Sequence, residues 1–107
     1  MKRGEIRWYT FAAPDKRRPV RLLTREAMIG RLNDVTIASI TTTIRNLDTE
    51  VLLSATDGMP ADCVVNCDQV QTLPRHKLGD GIAELSAAKL DEVERALLYA
   101  LGFRPHK

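Results

Sequence analysis

Long apolar runs are absent from this chain. No stretch approaches the ~20 residues that a membrane-crossing helix needs, and Met1-Lys2-Arg3 leads into Gly4-Glu5 rather than into the apolar segment of a secretory signal. The expectation is a soluble, cytoplasmic protein with no membrane partner. Cysteine and histidine are sparse, at two each. Cys63 and Cys67 flank Val64-Val65-Asn66, whose β-branched pair favours a strand, and four residues along a strand span ~13 Å. The two thiols are therefore not placed to bond to each other. Neither His76 nor His106 forms a zinc-ligand pattern with them, so structural thiols, no metal and no cofactor are expected. Repeats, low-complexity tracts and linkers are also missing, which points to a single domain over residues 1–107.

What is present is a small basic-to-acidic chain. A domain of 107 residues buries only roughly two-thirds of the surface its unfolded chain exposes. Association into a homodimer is a common remedy at this size. The net charge of +2 conceals an asymmetry: Met1 to Asp34 holds nine Lys/Arg against four Asp/Glu, whereas the remainder holds seven against ten. An anionic partner is suggested at the basic end, although solvated surface cations produce the same pattern.

Turn residues punctuate the chain about every ten positions. Glu5 to Phe11 is aromatic-rich and stops at Ala12-Ala13-Pro14-Asp15, and Val20 to Thr24 follows Pro19. Val35 to Ile40, Glu50 to Leu53, Cys63 to Cys67, Val70 to Leu73 and Ile82 to Leu85 continue the series of short strands. From Ser86, a suitable N-cap, the period changes: Leu90, Val93, Leu97, Leu98 and Leu101 recur at helical spacing, and Gly102 is placed to end the helix. The expected fold is mainly β with a C-terminal helix, a small barrel or half-barrel of antiparallel strands over about 5–85 followed by a helix over about 86–101.

Two clusters carry chemistry. Lys16-Arg17-Arg18-Pro19-Val20 puts three cations at the end of a turn, with Pro19 fixing the backbone beside Arg18. Ile40-Thr41-Thr42-Thr43-Ile44 runs an apolar strand into three hydroxyls just before Arg45. Thr hydroxyls beside an Arg form a cradle for phosphate oxygens, though threonine is also simply a good strand residue. The order of these segments resembles the MazF/PemK toxin family. Arg3-Gly4-Glu5-Ile6-Arg7-Trp8 is similar to its opening strand, Arg18-Pro19-Val20 to its Arg-Pro-Val motif, and Ile37 to Thr42 to its strand ending in threonine. Cys63 to Leu73 resembles its Val-Val and Asp-Gln stretch, and Gly81 to Ser86 precedes an Ala-Leu-rich helix ending at Leu101-Gly102.

That resemblance implies an SH3-like barrel, a homodimer and metal-independent, sequence-specific cleavage of single-stranded RNA, with mRNA as the expected target. It also implies translation and growth arrest, relieved by a cognate antitoxin through which alone DNA would be contacted. Carried over by motif, Arg18 and Thr41 are the catalytic pair, with Lys16, Arg17, Thr42 and Arg45 as RNA contacts. RNA cleavage without metal uses the substrate's 2′-hydroxyl as nucleophile, and a guanidinium with a hydroxyl suits the charge that develops on the phosphate. Arginine stays protonated at cellular pH and makes a poor general base. Asp15, the nearest carboxylate in sequence, is the first candidate for that role and His76 the second. Trp8, Tyr9 and Phe11 are expected in the core or a dimer interface. The segment Ala12–Arg17 is shorter than the corresponding loop in many members of the family, which bears on base recognition. Two other readings fit a barrel with a helix: a CcdB-like gyrase poison, against which the Arg18-Pro19 and Thr41 pair and the absence of a Trp-Gly-Ile ending argue, and a non-catalytic SH3-like binding module.

Overall fold

Alternating apolar residues build six strands into one antiparallel sheet. In a computed structural model that describes residues 1–12 and 16–103, these are β1 (Glu5–Thr10), β2 (Arg17–Leu22), β3 (Asp34–Thr41), β4 (Glu50–Leu53), β5 (Cys63–Pro74) and β6 (Leu78–Glu84). Two α-helices, α1 (Glu26–Ile29) and α2 (Ala87–Ala100), and two one-turn 3-10 helices, Ala55–Asp57 and Arg75–Lys77, complete the described chain. The strand order is β4-β5-β3-β2-β1-β6, and each neighbouring pair is antiparallel. The mainly β fold with its C-terminal helix is the class read from the sequence, but the ladder is open rather than a closed barrel, with β4 and β6 at its edges. Helix α2 guards the β4 edge: Lys89 Nζ donates to the Leu52 carbonyl at 2.7 Å, supplying a cation where another strand would otherwise add.

Period-two alternation divides the core between the two faces of the sheet. Ala38 and Ile40 of β3, with Ile6, Val51, Leu53, Val65 and Cys67, pack against Val93 and Ala96 of α2. Val35 and Ile37 of β3 point the other way and join Tyr9, Val20, Leu22 and Leu73 in a smaller cluster. Tyr9 and Phe11 meet edge to face at 4.8 Å, which places two of the three N-terminal aromatics in or against this second core. Ser86 caps α2 by accepting the Lys89 amide at 3.2 Å, and Gly102, at φ +79°, follows its last turn as expected for a helix-ending glycine.

Four local expectations change, among them the last strand, which runs Leu78–Glu84 with Asp80-Gly81 inside it rather than Ile82 to Leu85. β2 begins at Arg17 and ends at Leu22, earlier than Val20 to Thr24. The stretches around Cys63 and Val70 are one strand, β5, carried across an irregularity opposite Ala38 and Ser39. The four-residue α1 lies where no element is expected; it is one turn, held by Ile29 in the interior.

Gly4 joins the two ends of the fold. Its amide donates to the Leu22 carbonyl at 3.2 Å and its carbonyl accepts the Leu85 amide at 3.3 Å. Its φ is +88°, and a Cβ there would crowd the Leu90 side chain on α2. Gly4→Ala is therefore expected to lower stability by about 1–3 kcal/mol, read as a fall in the denaturant midpoint.

Both cysteines are buried and free. Burial pushes the Cys67 thiol up to about 11; Arg21 nearby opposes this and Asp68 adds to it. Burial likewise raises Cys63, with Asp62 and Asp57 contributing. The native state thus keeps thiol protons that the unfolded chain releases from about pH 9. Stability is expected to be unaffected by the thiols below pH 9 and to fall as pH rises from 9 toward 11. Above pH 10 the guanidinium of Arg21, lowered by burial to about 10, acts with the opposite sign, because the native state then binds fewer protons there. Denaturant midpoints at pH 8 and pH 10 check this, and a Cys67→Ala variant should show a smaller decline between them.

Candidate active site

Arg18 lies on β2 opposite Tyr9, and its side chain is exposed. The neighbouring proline is tolerated because β2 pairs with β3 only from Val20 onward, so the missing amide of Pro19 faces no ladder on that side. Among the described residues the Arg18 side chain forms no ion pair. Its donors are therefore available to an incoming acceptor. Thr41 is the last residue of β3, and its hydroxyl oxygen accepts the Thr43 amide at 3.1 Å. That contact orients the side chain and leaves the hydroxyl hydrogen to be donated.

Arg18 and Thr41, 23 positions apart, line one groove of about 380 Å³ together with Phe11, Ser39, Thr43, Arg45, Asn66, Gln69 and Gln71. Arg45 reaches it from the loop between β3 and β4. Glu50 Oε1 accepts the Arg45 amide at 2.9 Å, and Asn46 takes the left-handed conformation, at φ 59°, that asparagine tolerates well. Thr49 Oγ1 donates to Asp68 at 2.6 Å, tying the same loop to β5. The amide side chains depend on the irregularity in β5, where Ser39 pairs with Asn66 but Ala38 pairs with Val70. Strict alternation would send positions 66 and 69 to opposite faces. The extra residues restore Gln69 and Gln71 to the face that Asn66 occupies, as bulges commonly do beside functional sites.

A second, more apolar cavity of about 210 Å³ adjoins the groove and shares Arg18, Pro19, Ile40 and Thr41 with it. Trp8, Thr42, Met59, Pro60, Ala61 and Cys63 complete its walls. The Arg18–Thr41 pair thus stands on a ridge between a polar cavity and an apolar one.

A strand-paired arginine thus stands beside a threonine, between two cavities and facing a row of amides. Residues 2–101 match the profile described as PemK-like, MazF-like toxin of type II toxin-antitoxin system. The chain belongs to that toxin family. It is 47% identical over 92 residues to "Endoribonuclease MazF3" of Mycobacterium tuberculosis, covering 86% of this chain and 85% of that protein. It superposes on the solved "Mycobacterium tuberculosis toxin MazF-mt6" with a TM-score of 0.87 at 39% identity, covering 94% of this chain and 99% of the other. A further solved structure, "Endoribonuclease in complex with its cognate antitoxin from Mycobacterial species", matches with a TM-score of 0.87 at 26% identity, covering 99% of each chain.

In this MazF-like toxin the sequence-derived site residues divide. Arg18, Thr41 and Arg45 meet in the groove. Thr42 faces the apolar cavity instead. Arg17 stacks on the Trp8 ring, 4.4 Å from its centroid, an attractive contact between cation and ring face. Lys16 is exposed beside them and lines neither cavity. Asp15 lies outside the described residues. His76 sits in a one-turn 3-10 helix, Arg75–Lys77, apart from both cavities. Ser39, Asn66, Gln69 and Gln71 were not singled out from the sequence. The signal for the two glutamines was their i, i+2 spacing, but the irregularity that turns Asn66 to the same side left no mark that spacing alone reveals. No described carboxylate or histidine lines the groove, and no described helix is long and apolar enough to cross a membrane.

Proposed function

We propose that this chain is a toxin that cuts single-stranded RNA, mRNA foremost, at short sequences without metal, and that a cognate antitoxin neutralises it. The observation that carries the reading is the convergence of Arg18, unpaired among the described residues, and an oriented Thr41 hydroxyl in one groove within a chain of the MazF-like family. The 2′-oxygen attacks the adjacent phosphorus, the O2′–P bond forms, and the P–O5′ bond breaks to leave a cyclic phosphate. Arg18 holds the non-bridging oxygens with its planar fork of donors, and Thr41 adds a hydroxyl donor as their charge grows. Asp15, close to Arg18 in sequence, takes the 2′-hydroxyl proton in this scheme, and water supplies one to the departing O5′. Lys16, Arg17 and Arg45 steer the RNA backbone, Thr42 adds a hydroxyl at the ridge, and Asn66, Gln69 and Gln71 offer both donors and acceptors to base edges.

The proposed toxin works as a homodimer in the cytoplasm, where its RNA substrate is. Support for a partner surface comes from Leu47 and Tyr99, which are 49% and 63% exposed and line one surface cavity. Apolar exposure of this kind marks interaction surfaces.

Cleavage of a long single-stranded RNA by the purified protein in excess EDTA tests the reading. Sequence-selective cuts are expected to survive EDTA, to weaken by about tenfold or more in Thr41→Ala, and to recover substantially in Thr41→Ser, which restores the hydroxyl. Intact RNA under all conditions from folded protein would remove the nuclease reading and favour gyrase poisoning or a binding module.

A further inference from the structure

On the face of the sheet opposite the groove, β2 carries a charge into the core. Arg21 is 3% exposed and stands between Ile6 of β1 and Ala38 of β3. Among the described residues its buried Nε has no hydrogen-bond partner and its guanidinium forms no ion pair. A desolvated cation without a partner is among the least favourable arrangements a small fold tolerates. The guanidinium does not open onto solid core. It lines a cavity of about 290 Å³ beneath α2, with Arg3, Leu90, Glu94, Leu97 and Leu98 as the other walls.

Arg3 is partly committed elsewhere, since its Nε donates to the Leu23 carbonyl at 3.2 Å, but it still places a second guanidinium at the cavity. Glu94 lies at the same wall without pairing to either arginine. Two cations thus converge on a space whose remaining surface is largely leucine. We propose that this cavity is a binding site for a carboxylate carried on an apolar stem, with Arg21 and Arg3 holding the carboxylate and Leu90, Leu97 and Leu98 covering the stem. A carboxylate matches the planar fork of a guanidinium in two parallel hydrogen bonds. A bare inorganic anion would leave the leucine wall wet, and a neutral apolar group would leave Arg21 unpaired. The volume admits a small acid or one acidic side chain with its apolar neighbour, below the usual size of a drug-like ligand site. The same chemistry is available from a free aliphatic acid or from a peptide segment.

Binding is measured on the full chain by amide chemical-shift titration and thermal melting, neither of which reads RNA cleavage. Hexanoate is the first probe, acetate supplies the charge without the stem, and hexanamide the stem without the charge. Saturable shifts around Arg21, Leu90 and Leu97 with hexanoate, and far weaker ones with acetate and hexanamide, are expected. Arg21→Met, which keeps the stem and removes the charge, should abolish the hexanoate effect. Arg21→Lys should weaken it by about tenfold, and Glu94→Gln should strengthen it by removing a nearby like charge. The peptide N-acetyl-Leu-Leu-Glu amide forms the second arm, and the tighter of the two probes identifies the source. Absence of saturable binding by both probes would overturn the proposal, as would equal binding by Arg21→Met or by hexanamide. So would a change of molecular mass in Arg21→Met without ligand, because a second copy would then already be supplying the carboxylate.

Discussion

Arg18→Ala is expected to lower single-turnover RNA cleavage by about 10²–10³-fold while leaving the thermal midpoint within a degree or two of the parent. The two halves of this expectation have separate causes. Arg18 is exposed and forms no ion pair among the described residues, so truncating it removes no native contact of consequence to the fold. In the proposed mechanism its donors meet the phosphate instead, and they matter most as negative charge builds on the non-bridging oxygens. Arg18→Lys keeps the charge but loses the planar fork, so an intermediate rate is expected. Cleavage by Arg18→Ala within threefold of the parent would remove Arg18 from the mechanism, and an equal loss of rate and melting temperature would make its role structural.

Ile37→Ala should give the opposite pattern. Ile37 is fully buried, sits on β3 opposite Leu22 of β2, and belongs to the cluster beneath the groove. Removing its side chain forfeits transfer free energy and leaves a cavity that two paired strands cannot collapse around, at a cost of about 2–5 kcal/mol. For a domain of this size each kcal/mol moves the midpoint by roughly 4–8 °C, so a fall of about 8–40 °C is expected. Because β3 carries Thr41 at its end, cleavage should disappear in step with unfolding on heating, and the rate at low temperature should stay close to the parent's. A midpoint lowered by less than about 4 °C would show that this side of the sheet repacks freely.

These contrasting expectations follow how legible each residue was. Glu50–Leu53 and the Ser86-capped helix are present with the bounds or the cap read from the chain, because alternation, turn residues and capping act over a few neighbouring positions. β5 was legible only in halves, since its irregularity opposite Ala38 and Ser39 depends on how β3 lies beside it. The one-turn α1 has too few residues to show a helical period. Arg18 and Thr41 were identified through the order of motifs across the chain, and Arg45 through its position beside three threonines. The roles of Asn66, Gln69 and Gln71 emerged only when the irregular β5 turned them to one side.

Composition and periodicity alone determined a mainly β chain with a terminal amphipathic helix, thiols that do not pair, and a basic N-terminal third, because each rests on local spacing or simple counting. Tertiary structure decided that the sheet stays open, that Arg17 stacks on Trp8 while Arg18 lines the groove, and that Arg21 is buried beneath α2. Arg17, Arg18 and Arg21 share one strand and one residue type. Their different fates arise because pleating sends neighbouring side chains to opposite faces, and only the packed partners of each face decide whether a guanidinium meets a ring, a groove or a cavity beneath a helix.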